Sequence, residues 1–250
     1  MVFRSKIKYV LNALAAALVV IAVVWISVLR LSVRFNFSFI NDFSIRIWKG
    51  FALTVALSLG GFALSLFIGI FAALAQNGKI LFIRFISLIY VNFIRGTPLI
   101  MQIYLFYYII GTAWGVENRF ISGILILSIF EGAYIAEIIR GGISGLEATQ
   151  LEAAKAVGFS KRQTLSLIII PQMIARTLPP LVGQFSSIIK DSSLLSMIAV
   201  IELTQTMREI SAMNFRLFES YLFLGVLYLC LTLPLALVGK MLERHFSYEN

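Results

Sequence analysis

Charged residues, cysteine and histidine are all scarce in this chain of 250 residues. Only 13% of the residues are charged and 60% are hydrophobic, and a soluble domain cannot hide that much apolar surface. The single cysteine, Cys230, excludes a disulfide framework. The single histidine, His245, argues against metal sites and catalytic nucleophiles that need several His or Cys side chains. The composition therefore indicates one polytopic membrane domain with no catalytic residues and no metal site.

Six apolar runs are long enough to cross a bilayer, which takes about 20 residues. They cover residues 9–29, 50–78, 85–116, 120–139, a stretch between 177 and 201, and 220–239. The first run follows a basic start, but it is too long for the apolar part of a signal peptide and no clear cleavage site follows it. We expect an uncleaved spanning helix there, and an all-α integral membrane protein with six transmembrane helices.

The distribution of Lys and Arg predicts the orientation. With a cytoplasmic N-terminus, the cytoplasmic segments hold more of the 21 Lys and Arg residues than the outside segments do. Six spans then place both termini and the long segment 141–176 in the cytoplasm. The net charge of +9 fits loops that face an anionic leaflet, and nucleic acid is not needed to explain it.

One polar segment, 152–171, reads EAAKAVGFSKRQTLSLIIIP. Good helix formers predict a short helix over 146–157, and Gly158 suits its left-handed end. The spacing from Glu-Ala-Ala to the glycine and to Ile170-Pro171 resembles the EAA loop of permease subunits of bacterial ATP-binding-cassette importers. That resemblance implies a cytoplasmic coupling helix gripped by an ATPase, with coupling residues Glu152, Ala153, Ala154, Gly158 and Lys161.

Three further segments resemble the polar amino-acid permeases, which are of the histidine, glutamine, glutamate and arginine type. They read RGTPLIMQIYLFYY (95–108), GAYIAEIIRGGI (132–143) and IIKDSSLLSMIAVIELT (188–204). The resemblance implies a five-helix core, to which this chain adds an N-terminal helix. The predicted divisions are 1–30 (cytoplasmic tip and extra helix), 31–49 (extracytoplasmic linker), 50–245 (transmembrane domain, with the EAA loop at 141–176) and 246–250 (cytoplasmic tail).

The same resemblance implies the partners. The chain is expected to be a permease in the bacterial inner membrane, working with a second permease subunit, two ATPase subunits and an extracytoplasmic amino-acid-binding protein. It has no GxxxxGK[ST] phosphate loop, so ATP and Mg are expected on the ATPase. The substrate implied is a polar amino acid, and hydrolysis belongs to the partner.

Charged and hydroxyl side chains inside the apolar runs are candidates for a translocation path, because ionisable residues at membrane depth are usually functional. They are Glu131, Tyr134, Arg95, Lys190, Asp191 and Ser192. Glu131 has no cation three or four residues away, which suggests contact with the ammonium or guanidinium of a substrate. The alternative is a structural partner on another helix, such as Arg95 or Lys190.

Other charges have structural interpretations. Glu137 and Arg140, three residues apart, are expected to form an ion pair on one helix face. Arg95 is expected to reach the cytoplasmic interface or to pair with a carboxylate, and Pro98 to kink its helix. Lys190 and Asp191 mark either a helix break or an interhelical polar network.

Two other functions fit a polytopic membrane protein but have weaker support in this sequence. A secondary transporter driven by an ion gradient predicts inverted repeats, and no convincing repeat is visible in the sequence. An intramembrane enzyme predicts clustered reactive groups at one depth, but Glu131, Glu137 and Asp191 have no His or Cys companion.

Overall fold

In a computed structural model, residues 2–31, 35–145 and 148–247 are described, and they form helices and no β-strand. The prediction of an all-α protein is therefore confirmed for this part of the chain. The chain divides into two compact units, Met1–Phe39 and Ile40–Asn250. The first unit contains helix α1 (Val2–Leu31).

The remaining helices follow from the unit boundary onward. In chain order they are α2 (Phe39–Asp42), α3 (Ser44–Gln76), α4 (Leu81–Gly96), α5 (Leu99–Tyr104), a first π segment (Leu105–Gly111), α6 (Arg119–Ser144), α7 (Ala148–Ala156), α8 (Lys161–Thr164), a second π segment (Leu165–Ile169), α9 (Ile170–Asp191), a 3₁₀ segment (Ser192–Ile198), α10 (Leu203–Asn214) and α11 (Leu217–Ser247). The predicted linker 31–49 thus includes α2 and the start of α3.

Four helices in the described chain are long and apolar enough to cross a membrane: Ser44–Gln76, Arg119–Ser144, Lys161–Ile198 and Leu217–Phe246. A bent pair, Leu81–Gly96 with Leu99–Gly111, makes a fifth crossing if the two helices count as one span. In α1 the described apolar stretch is Leu14–Ser27. The sixth span therefore stays a prediction.

The predicted third span, 85–116, is not one continuous helix. The axes of α4 and of the helix that follows it differ by 115°. Pro98 has no backbone N–H and restricts the residue before it to extended conformations. Both Thr97 (φ −127°, ψ 148°) and Pro98 (φ −66°, ψ 141°) are extended, so the chain turns where only a kink was predicted.

Side chains close the hydrogen bonds that this turn opens. Gln102 Nε2 donates to the carbonyl oxygens of Ile94 (2.8 Å) and Thr97 (3.2 Å) and to Thr97 Oγ1 (2.7 Å). Thr97 Oγ1 in turn donates to the carbonyl of Phe93 at 2.8 Å. Because an unpaired carbonyl in an apolar environment is costly, these bonds explain how the apolar helix can break at Thr97 and Pro98.

The core lies where α3 crosses α6. A Cβ atom on Gly69 would lie 2.5 Å from Ile135 Cγ2, and one on Gly132 would lie 2.8 Å from Ile68 Cγ2. Small residues let spanning helices approach this closely. Tyr90 on α4 donates to the carbonyl of Ile129 on α6 at 2.6 Å, which fixes α4 to the same helix.

One helix is much longer than a span. It runs for 38 residues, Lys161–Ile198, through α8, the second π segment, α9 and the 3₁₀ segment. At 1.5 Å per residue it is about 57 Å long, against a hydrocarbon core of about 30 Å. The predicted fifth span, between 177 and 201, thus corresponds to only part of this helix.

Candidate functional site

Helix α7 carries the residues that the EAA resemblance singles out. Glu152 and Ala153 are exposed, while Ala154 on the next position is only 4% exposed. The first two residues of the predicted helix, Leu146 and Glu147, lie outside the described residues. The helix therefore packs through one alanine and presents Glu152 outward.

A glycine turn ends this helix. Gly158 has a φ of +84°, a left-handed conformation that costs glycine nothing. The N–H of Gly158 donates to the carbonyl of Lys155 and the N–H of Phe159 donates to that of Ala154, both at 3.0 Å. This pair of bonds is a Schellman motif, so the turn depends on the conformation of Gly158.

The chain then starts a new helix at once. Ser160 Oγ accepts from the N–H of Gln163 (3.3 Å), and Gln163 Oε1 accepts from the N–H of Ser160 (2.9 Å). This capping box begins α8, in which Lys161 and Arg162 are exposed and no residue is buried. The basic residues are thereby held on a rigid turn instead of a loose loop.

Most side chains from 149 to 164 are exposed. We name the segment 148–164 the tip. Gln172 Nε2 on α9 donates to Gln150 Oε1 on α7 at 2.5 Å, and this bond connects the tip to α9. Val157, an apolar side chain next to the turn, is 75% exposed. The segment therefore exposes an apolar side chain together with charged residues of both signs, Glu152 and Lys161.

The candidate path residues separate into two clusters. In the first, Arg95 Nη1 lies 3.0 Å from Glu137 Oε2, and its guanidinium lies 5.6 Å from the centre of the Tyr134 ring. Arg140 donates to both Glu137 oxygens at 2.8 Å. Arg95 therefore pairs with a carboxylate, and Glu137 links α4 to α6.

The second cluster surrounds Glu131, which is fully buried. Gln184 Nε2 on α9 donates to Glu131 Oε2, and the carboxyl group of Asp191 lies beside that of Glu131. In this conformation a solute cannot touch Glu131. The geometry favours the alternative of a structural partner on another helix, although the partners are Gln184 and Asp191 and not Arg95 or a direct bond from Lys190.

This cluster brings two carboxyl groups together with a lysine. Lys190 is exposed and attracts both groups electrostatically. Among the described residues no group of three His, Cys, Asp or Glu could hold a metal ion.

The helix changes type beside this cluster. Helix α9 ends at Asp191 and the 3₁₀ segment begins at Ser192. Ser192 is buried, and its Oγ donates to the carbonyl of Ile189 at 2.8 Å. Lys190 and Asp191 thus stand at a change of helical geometry, and the hydroxyl of Ser192 is used within the helix.

A third polar group, around Glu202, was not predicted from the sequence. Glu202 is fully buried before α10, where it accepts from the N–H groups of Thr204 and Gln205 at 2.8 Å and from Tyr228 Oη at 3.0 Å. The sequence signal was present, since an acid before a helical stretch is a helix cap. Its tyrosine partner lies on α11 and could not be read from the sequence.

Burial makes Glu202 sensitive to pH. It raises the pKa of the carboxyl from 4.5 to about 7, although the bonds from Thr204 and Gln205 act the other way. Between pH 4.5 and about pH 7 the Glu202 carboxyl keeps its proton in the folded chain but has lost it in the unfolded chain. The free energy of unfolding therefore falls as the pH rises through about 7. We expect the free energy of unfolding to fall by about 3 kcal/mol at most in the wild-type chain. The Glu202→Gln variant should not show this fall. Thermal unfolding in detergent at about pH 5 and about pH 8 checks this; equal pH dependence in both proteins would contradict it.

Known proteins resemble this chain over most of its length. Residues 65–248 match the family described as binding-protein-dependent transport system inner membrane component. The glutamine transport system permease protein GlnP of Escherichia coli strain K12 is 35% identical over 201 residues, which are 80% of this chain and 92% of that protein. The L-cystine transport system permease protein TcyB of Bacillus subtilis is 33% identical over 199 residues, 79% of this chain and 85% of that protein.

A solved structure is similar too. It is described as the crystal structure of an amino acid ABC transporter with histidines, and it is 30% identical. The alignment covers 85% of this chain and 100% of that one, with a TM-score of 0.78. The segment 148–164 lies within the residues that match the family, 65–248.

Proposed function

This chain belongs to the family of inner membrane components of binding-protein-dependent transport systems, and we propose that it carries polar amino acids into the cell as a permease subunit of an ATP-driven importer. Its relatives are named for glutamine and L-cystine, and a similar solved structure for histidines. These solutes share polar, zwitterionic chemistry, which supports a polar amino acid here.

A separate ATPase is proposed to bind the segment 148–164. The observation that carries this is continuity: the capped segment leads directly into the 38-residue helix Lys161–Ile198, which contains Lys190 and Asp191 near its far end. Exposed Glu152, Ala153 and Lys161 would contact the ATPase, buried Ala154 would fix the helix, and Gly158 would set the turn. Since the chain has no phosphate loop, ATP and Mg belong to that partner.

A second permease subunit is proposed to complete the path. Lys190 is exposed within a span, and the side chain of Arg95 is 43% exposed. A charge facing hydrocarbon is expensive, so such groups are expected to face protein or water. Two permeases, identical or homologous, would enclose them, with two ATPases below and an amino-acid-binding protein outside.

We further propose that α1 adds a sixth span. With six spans, both termini and the EAA loop, 141–176, lie on the cytoplasmic side of a bacterial inner membrane. The divisions are then 1–30 (cytoplasmic start and extra span), 31–49 (extracytoplasmic linker), 50–245 (transmembrane domain) and 246–250 (cytoplasmic tail). The bias of Lys and Arg supports this orientation. The orientation is tested with single cysteines at Ser38 or Ser160 in a Cys230→Ser background. Intact cells are treated with an impermeant thiol reagent, and only the cysteine at position 38 should react.

The charged cluster is proposed to tune substrate charge. Glu131 is fully buried, whereas Asp191 is partly exposed and Lys190 is exposed. Asp191 and Lys190 are therefore proposed as the groups that reach the path. We expect Asp191→Asn to lower uptake of lysine and arginine about tenfold relative to glutamine, because Lys190 loses its balancing charge. Glu131→Gln should have little effect, since an amide can donate to Asp191. Transport kinetics in proteoliposomes check this, and a larger effect of Glu131→Gln would contradict it.

Reconstitution tests the proposed function as a whole. The chain, purified with the permease, ATPase and binding protein encoded beside it, is placed in proteoliposomes with radiolabelled glutamine, cystine and histidine. We expect uptake only when ATP is on the ATPase side and the binding protein is on the other. Uptake driven by an ion gradient without ATP would overturn the proposal.

A further inference from the structure

The second π segment lies between the exposed tip and α9. Ile170 donates its N–H to the carbonyl of Leu165, five residues back, where an α-helix would bond four residues back. Leu165 is 49% and Leu167 is 62% exposed, and no residue of the segment is buried. Packing within this chain therefore does not impose the wide turn.

Pro171 supplies a local cause. It is exposed in the first turn of α9, it has no N–H to donate, and in a regular α-helix its ring would strike the carbonyl of Leu167. Pro179, Pro180 and Pro234 lie inside stretches that remain α-helical, whereas at Pro171 a wider turn before the proline moves that carbonyl away. The first π segment differs, because it ends at buried Gly111 and its residues Phe106 and Tyr107 pack against the hydrophobic core. Close packing constrains that one.

The wide turn has a geometric consequence. A π turn accommodates one extra residue, and one residue of an α-helix corresponds to about 100° of rotation. It therefore sets which way the tip faces relative to the far end of the same helix. Asp191 lies twenty residues beyond Pro171, about 30 Å along the axis. A change of rotation at Pro171 therefore changes the direction in which the tip faces relative to Lys190 and Asp191.

We propose that Pro171 is a positioning residue: by holding the second π segment, it sets the rotational phase between the exposed tip and the Lys190–Asp191 end of the helix. This inference rests on the proposed coupling to an ATPase. The proline fixes how movement of the tip is converted into movement of the path. It does not itself contact the ATPase or the amino acid.

The test begins with Pro171→Ala in the complete importer. Alanine restores the N–H and lets the segment return to α-helix, which rotates the tip. We expect the ATPase to stay bound and to hydrolyse ATP, while amino acid imported per ATP falls at least about tenfold. Pro234→Ala is the matched control, since Pro234 is an exposed proline inside the spanning helix α11. It should retain the wild-type ratio.

A second variant distinguishes a change in the rotation between the tip and α9 from general damage to the protein. Deleting Ser166, an exposed residue of the π segment, from the Pro171→Ala protein removes the extra residue. A regular helix then joins the tip and α9 in their original phase. We expect the deletion to restore most of the amino acid imported per ATP, whereas the same deletion in a chain that keeps Pro171 should reduce it.

Each other result counts against the inference. An unchanged ratio in Pro171→Ala shows that the proline does not set the phase. Loss of the ATPase from the complex shows that the contact surface was damaged, and failure of the deletion to restore the ratio shows damage without a phase error. If no ATPase binds the wild-type chain, it is the proposed function that fails, and the two failures are thereby distinguishable.

Discussion

Replacing Gly132 with valine is expected to disrupt the packing of the membrane core severely. A Cβ at this position lies 2.8 Å from Ile68 Cγ2 and 3.0 Å from Tyr90 Oη. A branched side chain would push α3 away from α6 and break the bond from Tyr90 to Ile129. Overpacking costs about 1–3 kcal/mol, and the lost hydrogen bond adds about 1 kcal/mol.

The matched control is Gly141→Val. Gly141 lies on the same helix, with nothing within 4 Å of its Cβ position, so any effect of valine on helix propensity is shared. Unfolding by a denaturing detergent, followed by circular dichroism, should show a midpoint far lower for Gly132→Val than for Gly141→Val. Equal midpoints would mean that α3 and α6 do not pack closely at Gly132.

Gln102→Leu is expected to reduce transport strongly. Leucine has nearly the volume of glutamine but no donor, so the carbonyls of Ile94 and Thr97 lose their bonds at the break between α4 and α5. An unsatisfied carbonyl costs about 1–3 kcal/mol in proteins and several in hydrocarbon. The loss of Gln102 Oε1, buried without a hydrogen-bond partner in the described chain, offsets part of this cost.

The control for this change is Met101→Leu, which places leucine on the same turn at a half-exposed position. We expect uptake by Gln102→Leu to fall more than about tenfold, corresponding to more than about 1.4 kcal/mol, while Met101→Leu keeps wild-type uptake. Full transport by Gln102→Leu would show that the 115° bend does not depend on this side chain.

The sequence predicted local features better than distant ones. The turn at Gly158 was predictable because a left-handed residue after a run of helix formers needs no other part of the chain. A kink at Pro98 was predictable for the same reason. The size of the bend was not, because it depends on Gln102 reaching back to Ile94, and only the folded chain shows that contact.

Two further differences have physical causes. Hydropathy marks the part of a helix that lies in lipid, so it could not show that the helix Lys161–Ile198 continues into a polar, capped turn at Ser160. Glu131 was recognised as unusual because no cation lies nearby along its own helix. Its partners, Gln184 and Asp191, lie on a helix more than fifty residues later, and a single sequence does not pair them.

Co-purification tests the central claim, that an ATPase grips the segment 148–164, most directly. The importer is expressed with the wild-type chain, with Gly158→Val or with Gly115→Val, and ATPase recovered in mild detergent is measured. Valine at a left-handed position costs about 1–2 kcal/mol and should open the turn at Gly158. Gly115 is also left-handed, with φ +69° and open space, but it lies in the segment that joins the first π segment to α6. We predict that only Gly158→Val loses the ATPase while the membrane core stays folded. Equal recovery from all three chains would contradict the account.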